Sequence, residues 1–421
     1  MKKILALVLV LAMVAALFVG CADSNNNGST TKAPEGTEAA TKAPDGTETA
    51  TKAPDAETDA PATDVPATDA PVVDSDMKVA MITDYGDITD ESFNQATYEG
   101  AKEWCEANNV NFTYYKPTGD STEARVASID QAVADGYNVL LMPGYAFAGA
   151  IVETVEMYPD VKFVALDVSE FDLQDAKGTA ADFSWTYPAN LYSAVYQEEL
   201  AGYMAGVAAV KLGYTKLGFL GGMAVPAVVR YGYGFVQGVN DAAKELGNVA
   251  DIELKYVYGN QFFGDADILA YMDTWYAAGT QVVFACGGGI YTSAADAAKK
   301  VNAKVIGVDV DQAPTIDGQW AEGMTVTSAM KGLSATVKTL LGNIAAGKFE
   351  GGKVETLGLV SENPAENYVQ LPASTQWADG FSEADYNELV AKLFKGEIKV
   401  SNATDVEPTV EIAVDYQGNI K

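Results

Sequence analysis

Polar residues and glycines directly follow five of the apolar segments that predict β-strands, and these positions are the candidates for chemistry. The carboxylates Asp84, Asp167 and Asp309, the amine of Lys331 and the glycine run 287–289 all stand at such strand ends. In open α/β sheets, ligands bind beyond the carboxyl ends of the strands. Carboxylates accept hydrogen bonds from pairs of hydroxyl groups, and a lysine balances their charge. The pattern therefore favours a binding site for a neutral polyol.

The composition argues against several other kinds of site. The 421-residue chain contains no histidine, so it lacks the commonest general base and metal ligand, and it can form no Ser–His–Asp or Cys–His site by itself. Cys21, Cys105 and Cys286 form no Cys-x-x-Cys pair and no zinc spacing. A net charge of −31 argues against binding to nucleic acid. We expect no catalytic residue, no metal and no cofactor, and we expect Cys105 and Cys286 to be buried free thiols.

Two successive α/β halves would position these strand ends. The first half predicts strands at 77–83, 110–115, 138–142 and 161–166, with helices between them. The second half begins with a predicted long helix at 190–212 and continues with strands at 216–222, 252–258, 281–286, 304–308 and 324–330. Continuous apolar strands that alternate with helices are typical of parallel sheets covered on both faces. The sequence therefore predicts two Rossmann-like lobes with a ligand cleft between them.

The amino terminus has the pattern of a targeting segment. Residues 1–21 carry two lysines, an apolar run and the pair Gly20-Cys21, which resembles the end of a bacterial lipoprotein signal peptide acylated at Cys21. A retained membrane-spanning helix is the alternative. Residues 22–76 contain ten-residue repeats of threonine, alanine, proline and acid without an aliphatic face, which predicts a disordered stalk. We expect a lipid-anchored protein on the extracytoplasmic face of the cell membrane, which contacts the membrane only through its lipid.

From residue 77 to about residue 400 the chain resembles the basic membrane protein family, of the purine nucleoside receptor A type. The resemblance is carried by TDYGDITDESFNQATYEG (83–100), MYPDVKFVALD (157–167), ELAGYMAGVAAV (199–210), KLGFLGGMAVPAVVRYGYGFVQGV (216–239), ACGGG (285–289), GVDVDQ (307–312) and TSAMK (327–331). It implies a type I periplasmic-binding-protein fold whose lobes are joined by hinge crossings. Lobe 1 would begin in 77–187, lobe 2 would occupy 188–310, and 311–421 would hold the return crossings and complete both lobes.

The resemblance also implies capture of a purine nucleoside for the permease and ATPase of an ABC importer, by a monomer that closes about its hinge. On the base side of the ligand, Phe93 would stack on the purine and Asn94 would form a hydrogen bond nearby. Asp84 and Asp167 would meet the base edges or the ribose. Tyr231 stands where the family usually has phenylalanine, and it would supply the second stacking ring.

On the sugar side, the resemblance implies that Asp309 and Lys331 hold the ribose hydroxyls. Gly287 and Gly288 would let the backbone approach the sugar. Lys331 is expected to open a helix, where a cation is disfavoured by the helix dipole, and that misfit suggests a use in binding.

The residues alone leave alternatives open. Asp84 and Asp167 could be helix N-caps, Phe93 could belong to the core, and the glycine run 287–289 could be a simple tight turn. At the level of function, a surface sensor or adhesin is one alternative, and a binding protein for another small polar ligand, such as a sugar, is a second. A nucleoside hydrolase or phosphorylase is disfavoured by the absence of histidine.

Overall fold

Two β-sheets organise residues 76–420, the part of the chain that the computed structural model describes. Within these residues, the first sheet has the spatial order β11-β5-β4-β3-β1-β2, and all its neighbouring strands are parallel. Its strands are β1 (Lys78–Ile82), β2 (Asn111–Tyr115), β3 (Val139–Pro143), β4 (Lys162–Leu166), β5 (Leu191–Tyr196) and β11 (Lys353–Leu357).

The second sheet has the order β12-β10-β9-β8-β6-β7-β13, and only the pairing of β10 with the short β12 is antiparallel among the strands described. Its strands are β6 (Lys216–Gly221), β7 (Glu253–Tyr258), β8 (Val282–Cys286), β9 (Lys304–Asp309), β10 (Thr325–Lys331), β12 (Val369–Gln370) and β13 (Ala413–Asn419). Their carboxyl ends, like those of the first sheet, carry the residues singled out above.

Helices cover both faces of the sheets. In β1, for example, Val79 and Met81 belong to one core cluster while Ala80 and Ile82 belong to another, so both faces of the strand are buried. The helices are α1 (Phe93–Ala107), α2 (Thr122–Ala134), α3 (Ala148–Thr154), α4 (Glu170–Lys177), α5 (Glu198–Lys211), α6 (Pro226–Leu246), α7 (Ala266–Ala277), α8 (Tyr291–Val301), α9 (Ala313–Gln319), α10 (Leu333–Ala345) and α11 (Glu383–Phe394). Among residues 76–420, no helix has the length and apolar content needed to cross a membrane.

The predicted long helix at 190–212 is wrong, because the first part of it is strand β5. This strand pairs with β4 in the first sheet, and α5 begins only at Glu198. The chain therefore leaves the first lobe after Tyr196, about ten residues later than the predicted boundary at 187/188. Strand β10, which lies within the segment 311–421, belongs to the second sheet. The chain returns to the first lobe after Lys331 and passes back between β11 and β12.

Helices α5 and α6 pack with their backbones in close contact. A Cβ atom on Gly202 of α5 would overlap the carbonyl oxygen of Tyr231, and one on Gly234 of α6 would overlap the carbonyl oxygen of Glu199. Only glycine permits this approach. The contact sets the position of the first turns of α6, which carry Arg230 and Tyr231.

The carboxyl-terminal stretch, for which the sequence suggests no role, extends the second sheet. Strand β13 pairs in parallel with β7, and Gln417 Oε1 accepts hydrogen bonds from the Tyr271 hydroxyl and from Trp275 Nε1. The predicted signal peptide at 1–21 with Cys21, and all of the predicted stalk at 22–76 except Asp76, lie outside the described residues.

Candidate functional site

A cavity of about 480 Å³ lies between the two sheets, at the carboxyl ends of their strands. The loops after β1 and β4 line it from the first lobe, and the ends of β8, β9 and β10 line it from the second. All the residues predicted to bind ligand line this cavity, namely Asp84, Phe93, Asn94, Asp167, Tyr231, Gly287, Gly288, Asp309 and Lys331. The structure thus brings the predicted set together, and the role of each residue in binding stays a prediction.

Lys331 is a buried cation of this site. It is the last residue of β10 and does not open a helix as predicted, because α10 begins only at Leu333. Its Nζ lies 2.5 Å from Asp167 Oδ2, 3.3 Å from Glu198 Oε1 and 3.9 Å from Asp309 Oδ1. Burial alone would lower the pKa of Lys331, but these carboxylates outweigh burial and raise the pKa above its usual value. The amine is therefore charged at neutral pH.

Two of its partners, Asp167 and Asp309, have left-handed backbone, with φ of 61° and 63°. This conformation is unfavourable for residues with a side chain, although aspartate tolerates it better than most. Burial raises the pKa of both carboxyls, and the pKa of Asp167 reaches about 6 although Lys331 opposes the shift. Asp167 Oδ1 has no hydrogen-bond partner within the described part of the protein. The site therefore contains a carboxylate oxygen that lacks the donors it would have in water.

Asp84 accepts hydrogen bonds from the backbone of its own loop and does not cap α1. Its Oδ1 accepts hydrogen bonds from the backbone N–H groups of Tyr85 and Gly86, and from Asn94 Nδ2 at 3.3 Å. Burial raises the pKa of Asp84 against these hydrogen bonds. The first turn of α1 is capped by Asp90, which accepts from the backbone N–H groups of Asn94 and other residues nearby. Asn94 Oδ1 is buried and has no partner among the described atoms.

Two aromatic rings that line the cavity lie beside the buried amine. The Nζ of Lys331 is 4.9 Å from the ring centroid of Phe93 and 5.6 Å from that of Tyr231. Phe93 is half-buried at the start of α1, so it is not simply a core residue. The Tyr231 hydroxyl donates to Asp309 Oδ1 at 3.4 Å, a contact that a phenylalanine would lack. An apolar ring with donors and acceptors around it would fit between these elements.

The backbone conformation and packing of the loop after β8 require the glycines at 287 and 288. Gly287 has φ 146° and Gly288 has φ 48°, which favour glycine. A Cβ on Gly287 would lie 2.8 Å from Phe262 Cδ1, and one on Gly288 would lie 2.6 Å from the Phe262 carbonyl oxygen. Close contact with Phe262, in the loop after β7, is therefore enough to explain why both positions are glycine. The tight-turn interpretation needs no sugar next to the backbone.

The first lobe also contacts the second directly across the cavity. Ser92 Oγ donates to Asp309 Oδ2 at 2.6 Å, and Gln312 Nε2 donates to the Glu91 carbonyl oxygen at 2.9 Å. Thr315 Oγ1 donates to Glu91 Oε2 at 3.0 Å. These contacts between lobes describe an arrangement that is closed around the cavity.

Several residues of the site were not predicted from the sequence. Arg230, Phe262 and Tyr85 line the cavity, and Glu198 contacts Lys331 without lining the cavity. Phe262 belongs to the loop after β7, a strand end of the same kind as those that were considered, so the same rule applied to that strand would have found the loop. Glu198 is an acid at the start of an otherwise apolar helix, which is a weaker signal.

Residues 76–420 contain no group of three or more His, Cys, Asp or Glu side chains placed to hold a metal ion. Cys105 and Cys286 are buried free thiols, as predicted. Cys286 ends β8 and lines the cavity, and burial raises the pKa of its thiol well above the usual value.

Comparison with known proteins agrees with this geometry. The Bmp family, described as ABC transporter substrate-binding protein PnrA-like, matches residues 77–404. The ABC transporter nucleoside-binding protein BmpA of Lactococcus lactis is 29% identical over 303 residues, which cover 68% of this chain and 80% of that protein. The CD4+ T-cell-stimulating antigen of Listeria monocytogenes is 27% identical over 352 residues, which cover 77% of this chain and 88% of the antigen.

Solved structures show the same fold. A solute-binding protein of an ABC transporter system from Aeropyrum pernix K1 superimposes with a TM-score of 0.62 at 20% identity, covering 78% of this chain and 94% of its own. One from Conexibacter woesei gives 0.59 at 22% identity, covering 77% of this chain and 99% of its own. The predicted type I periplasmic-binding-protein fold is confirmed.

Proposed function

Because this chain belongs to the Bmp family of PnrA-like ABC transporter substrate-binding proteins, we propose that it captures a purine nucleoside outside the cytoplasm and presents it to an ABC importer. The importer's permease and ATPase subunits would be its partners. The ligand would be held without chemical change.

The observation that carries this proposal is the combination of aromatic rings with unsatisfied buried acceptors in one cavity. Asn94 Oδ1 and Asp167 Oδ1 have no partner among the described residues. A buried acceptor left without a donor costs about 1–3 kcal/mol, so a ligand that supplies donors at these points binds with that advantage. A purine nucleoside offers N–H groups on its base and hydroxyl groups on its ribose, together with a flat ring for Phe93 and Tyr231.

The charge of the site supports a neutral ligand. Asp167, Glu198 and Asp309 are three buried carboxylates, and Lys331 and Arg230 are the cations that contact them. Each of these side chains is at most 15% exposed. A phosphate placed beside these carboxylates would be repelled, whereas hydroxyl groups would donate to them. We therefore assign the ribose to the side of Asp309 and Lys331, and the base to the side of Phe93 and Asn94.

Capture would follow from hinge closure about the three crossing segments. We propose one lobe formed by residues 76–196 and 333–357, and a second formed by 198–331 and 369–420. The permease would recognise the closed form of a monomer. We also propose that Cys21 carries a lipid and that residues 22–75 tether the lobes to the outer face of the cell membrane.

Thermal unfolding of the purified protein, freed of co-purified ligand, tests the proposal. A ligand at 100 times its dissociation constant stabilises the folded state by about 2.7 kcal/mol, which raises the melting temperature measurably. Inosine, guanosine or adenosine should stabilise the protein more than free purines, ribose, glucose or pyrimidine nucleosides. Stabilisation by sugars alone would contradict nucleoside capture and favour a sugar receptor, and no stabilisation by any of these compounds would favour a sensor or adhesin.

Lipid attachment has its own test. When the full chain is expressed in a bacterium supplied with radiolabelled palmitate, label should enter the wild-type protein and not a Cys21→Ser variant. Equal label in the two proteins, or none in either, would contradict an anchor at Cys21.

A further inference from the structure

Glu198 lies behind the cavity and is fully buried, yet neither the polyol pattern nor the family resemblance assigns it a role. It is the first residue of α5, immediately after the chain leaves the first lobe. Its Oε2 accepts a hydrogen bond from Arg230 Nε at 2.6 Å, and its Oε1 lies 3.3 Å from Lys331 Nζ. One carboxylate therefore links both buried cations of the site.

The partners of Lys331 belong to different lobes. Asp167 follows β4 of the first sheet, whereas Asp309 ends β9 of the second. Both carboxylates line the cavity, but Glu198 does not. Glu198 is therefore the partner that never has to release Lys331 to a ligand, because it has no surface in the cavity.

We propose that Glu198 and Arg230 form a positioning pair for Lys331, in which the carboxylate holds the ammonium at the back of the cleft and the guanidinium balances the carboxylate's charge. The inference rests on the proposed function, since it assumes that Lys331 serves a bound nucleoside. It assigns to Glu198, which does not line the cavity, an effect on the ligand that acts through Lys331.

Charge balance explains why the pair is useful. With Glu198 present, the charge of Lys331 is divided among Glu198, Asp167 and Asp309, and Asp167 Oδ1 still has no partner among the described residues. Without the charge of Glu198, Lys331 would interact more strongly with Asp167 and Asp309 and compete more with the ligand for them. Arg230 in turn pairs with Glu198 and balances part of its charge.

The first experiment uses the ligand-free protein and an amine-reactive reagent, with labelling of the Lys331 peptide measured by mass spectrometry. Glu198→Gln should raise labelling several-fold over wild type, because the amine loses a partner and its pKa falls. Glu199→Gln is the matched control, because Glu199 is the next residue of α5, is buried, and has an Oε2 without a hydrogen-bond partner among the described residues. Labelling of Lys331 in Glu198→Gln at the wild-type level would overturn the inference.

The second experiment measures guanosine affinity between pH 5 and pH 8. Burial raises the pKa of Asp167, the charges of Lys331 and Arg230 lower it, and the charge of Glu198 raises it further. Burial also raises the pKa of Asp309, as does the charge of Glu198, whereas Lys331, Ser92 and Tyr231 lower it. The acid midpoint of binding should therefore move to lower pH in Glu198→Gln. It should move to higher pH in Arg230→Gln and return toward wild type in Arg230→Lys.

These opposite shifts separate positioning from structural damage. A merely damaged protein would bind more weakly at every pH with an unchanged midpoint, and that result would overturn the inference. If Glu198→Gln does not fold, the Arg230 variants still decide the question by the direction of their shift. If wild-type protein binds no nucleoside, the proposed function fails, and labelling of Lys331 still decides whether Glu198 positions it.

Discussion

Replacing Lys331 with methionine removes the ammonium that three buried carboxylates share, while it keeps a long unbranched side chain. The amine lies 2.5 Å from Asp167, 3.3 Å from Glu198 and 3.9 Å from Asp309, and its side chain is only 3% exposed. Removal of one partner from a buried ion pair typically costs about 3–5 kcal/mol, because a charge is left buried without compensation. We expect a loss of about 4 kcal/mol in the free energy of unfolding at pH 8.

The loss should shrink on acidification. The folded-state pKa of Asp167 is already raised to about 6, above its ordinary value of 3.8, and loss of Lys331 raises it further. The folded variant then holds a proton that the wild-type and unfolded chains have released, so its stability falls as pH rises through that pKa. Each pH unit over which it holds one extra proton recovers about 1.4 kcal/mol. At pH 6 we therefore expect a loss of roughly 2 kcal/mol.

Urea unfolding followed by circular dichroism at pH 6 and pH 8 measures both values. Lys338→Met is the control, because Lys338 pairs with Glu103 on the surface and that pair is worth at most about 1 kcal/mol. A loss from Lys331→Met that is equal at the two pH values would refute the reasoning. So would a loss no larger than that of the control.

Three further predictions concern packing, titration and closure. Gly202→Ala should lower the melting temperature and weaken guanosine binding measured by calorimetry, since the new methyl group overlaps the backbone of Tyr231 in α6; unchanged affinity would contradict this. Burial raises the pKa of Glu199 to about 7 from 4.5, so wild-type stability should fall between pH 5 and pH 8, and Glu199→Gln should flatten that dependence in urea unfolding. Parallel pH profiles would argue against a buried carboxyl. Thr315→Val removes the hydrogen bond to Glu91 across the cleft and should speed guanosine dissociation roughly fivefold in stopped-flow measurements, as expected for about 1 kcal/mol. An unchanged dissociation rate would show that this contact does not hold the lobes closed.

The strand-end rule predicted residues that line one cavity because parallel strands place their carboxyl ends at one edge of a sheet. Asp84, Asp167, Asp309 and Lys331 come from two different sheets and still line one cavity. The rule did not reveal what each residue contacts. Asp84, for instance, binds its own loop, and that depends on local backbone geometry that residue types do not fix.

Strand β5 was missed because no turn residue marks its end. The segment Leu191–Tyr196 is apolar and is separated from α5 only by Gln197, so its pattern merges with that of the following alanine-rich helix. The strand assignment is decided by pairing with β4 and β11, which is tertiary information. Glu198 was overlooked for the same reason, since its partners are far away in the sequence.

Structure determination of the protein with inosine tests the central claim most directly. We expect the purine ring in the cavity against Phe93, with ribose hydroxyl groups within hydrogen-bond distance of Asp309 and Lys331. Inosine bound outside the cavity, or an empty cavity at an inosine concentration that saturates the protein in solution, would contradict nucleoside capture between the two lobes.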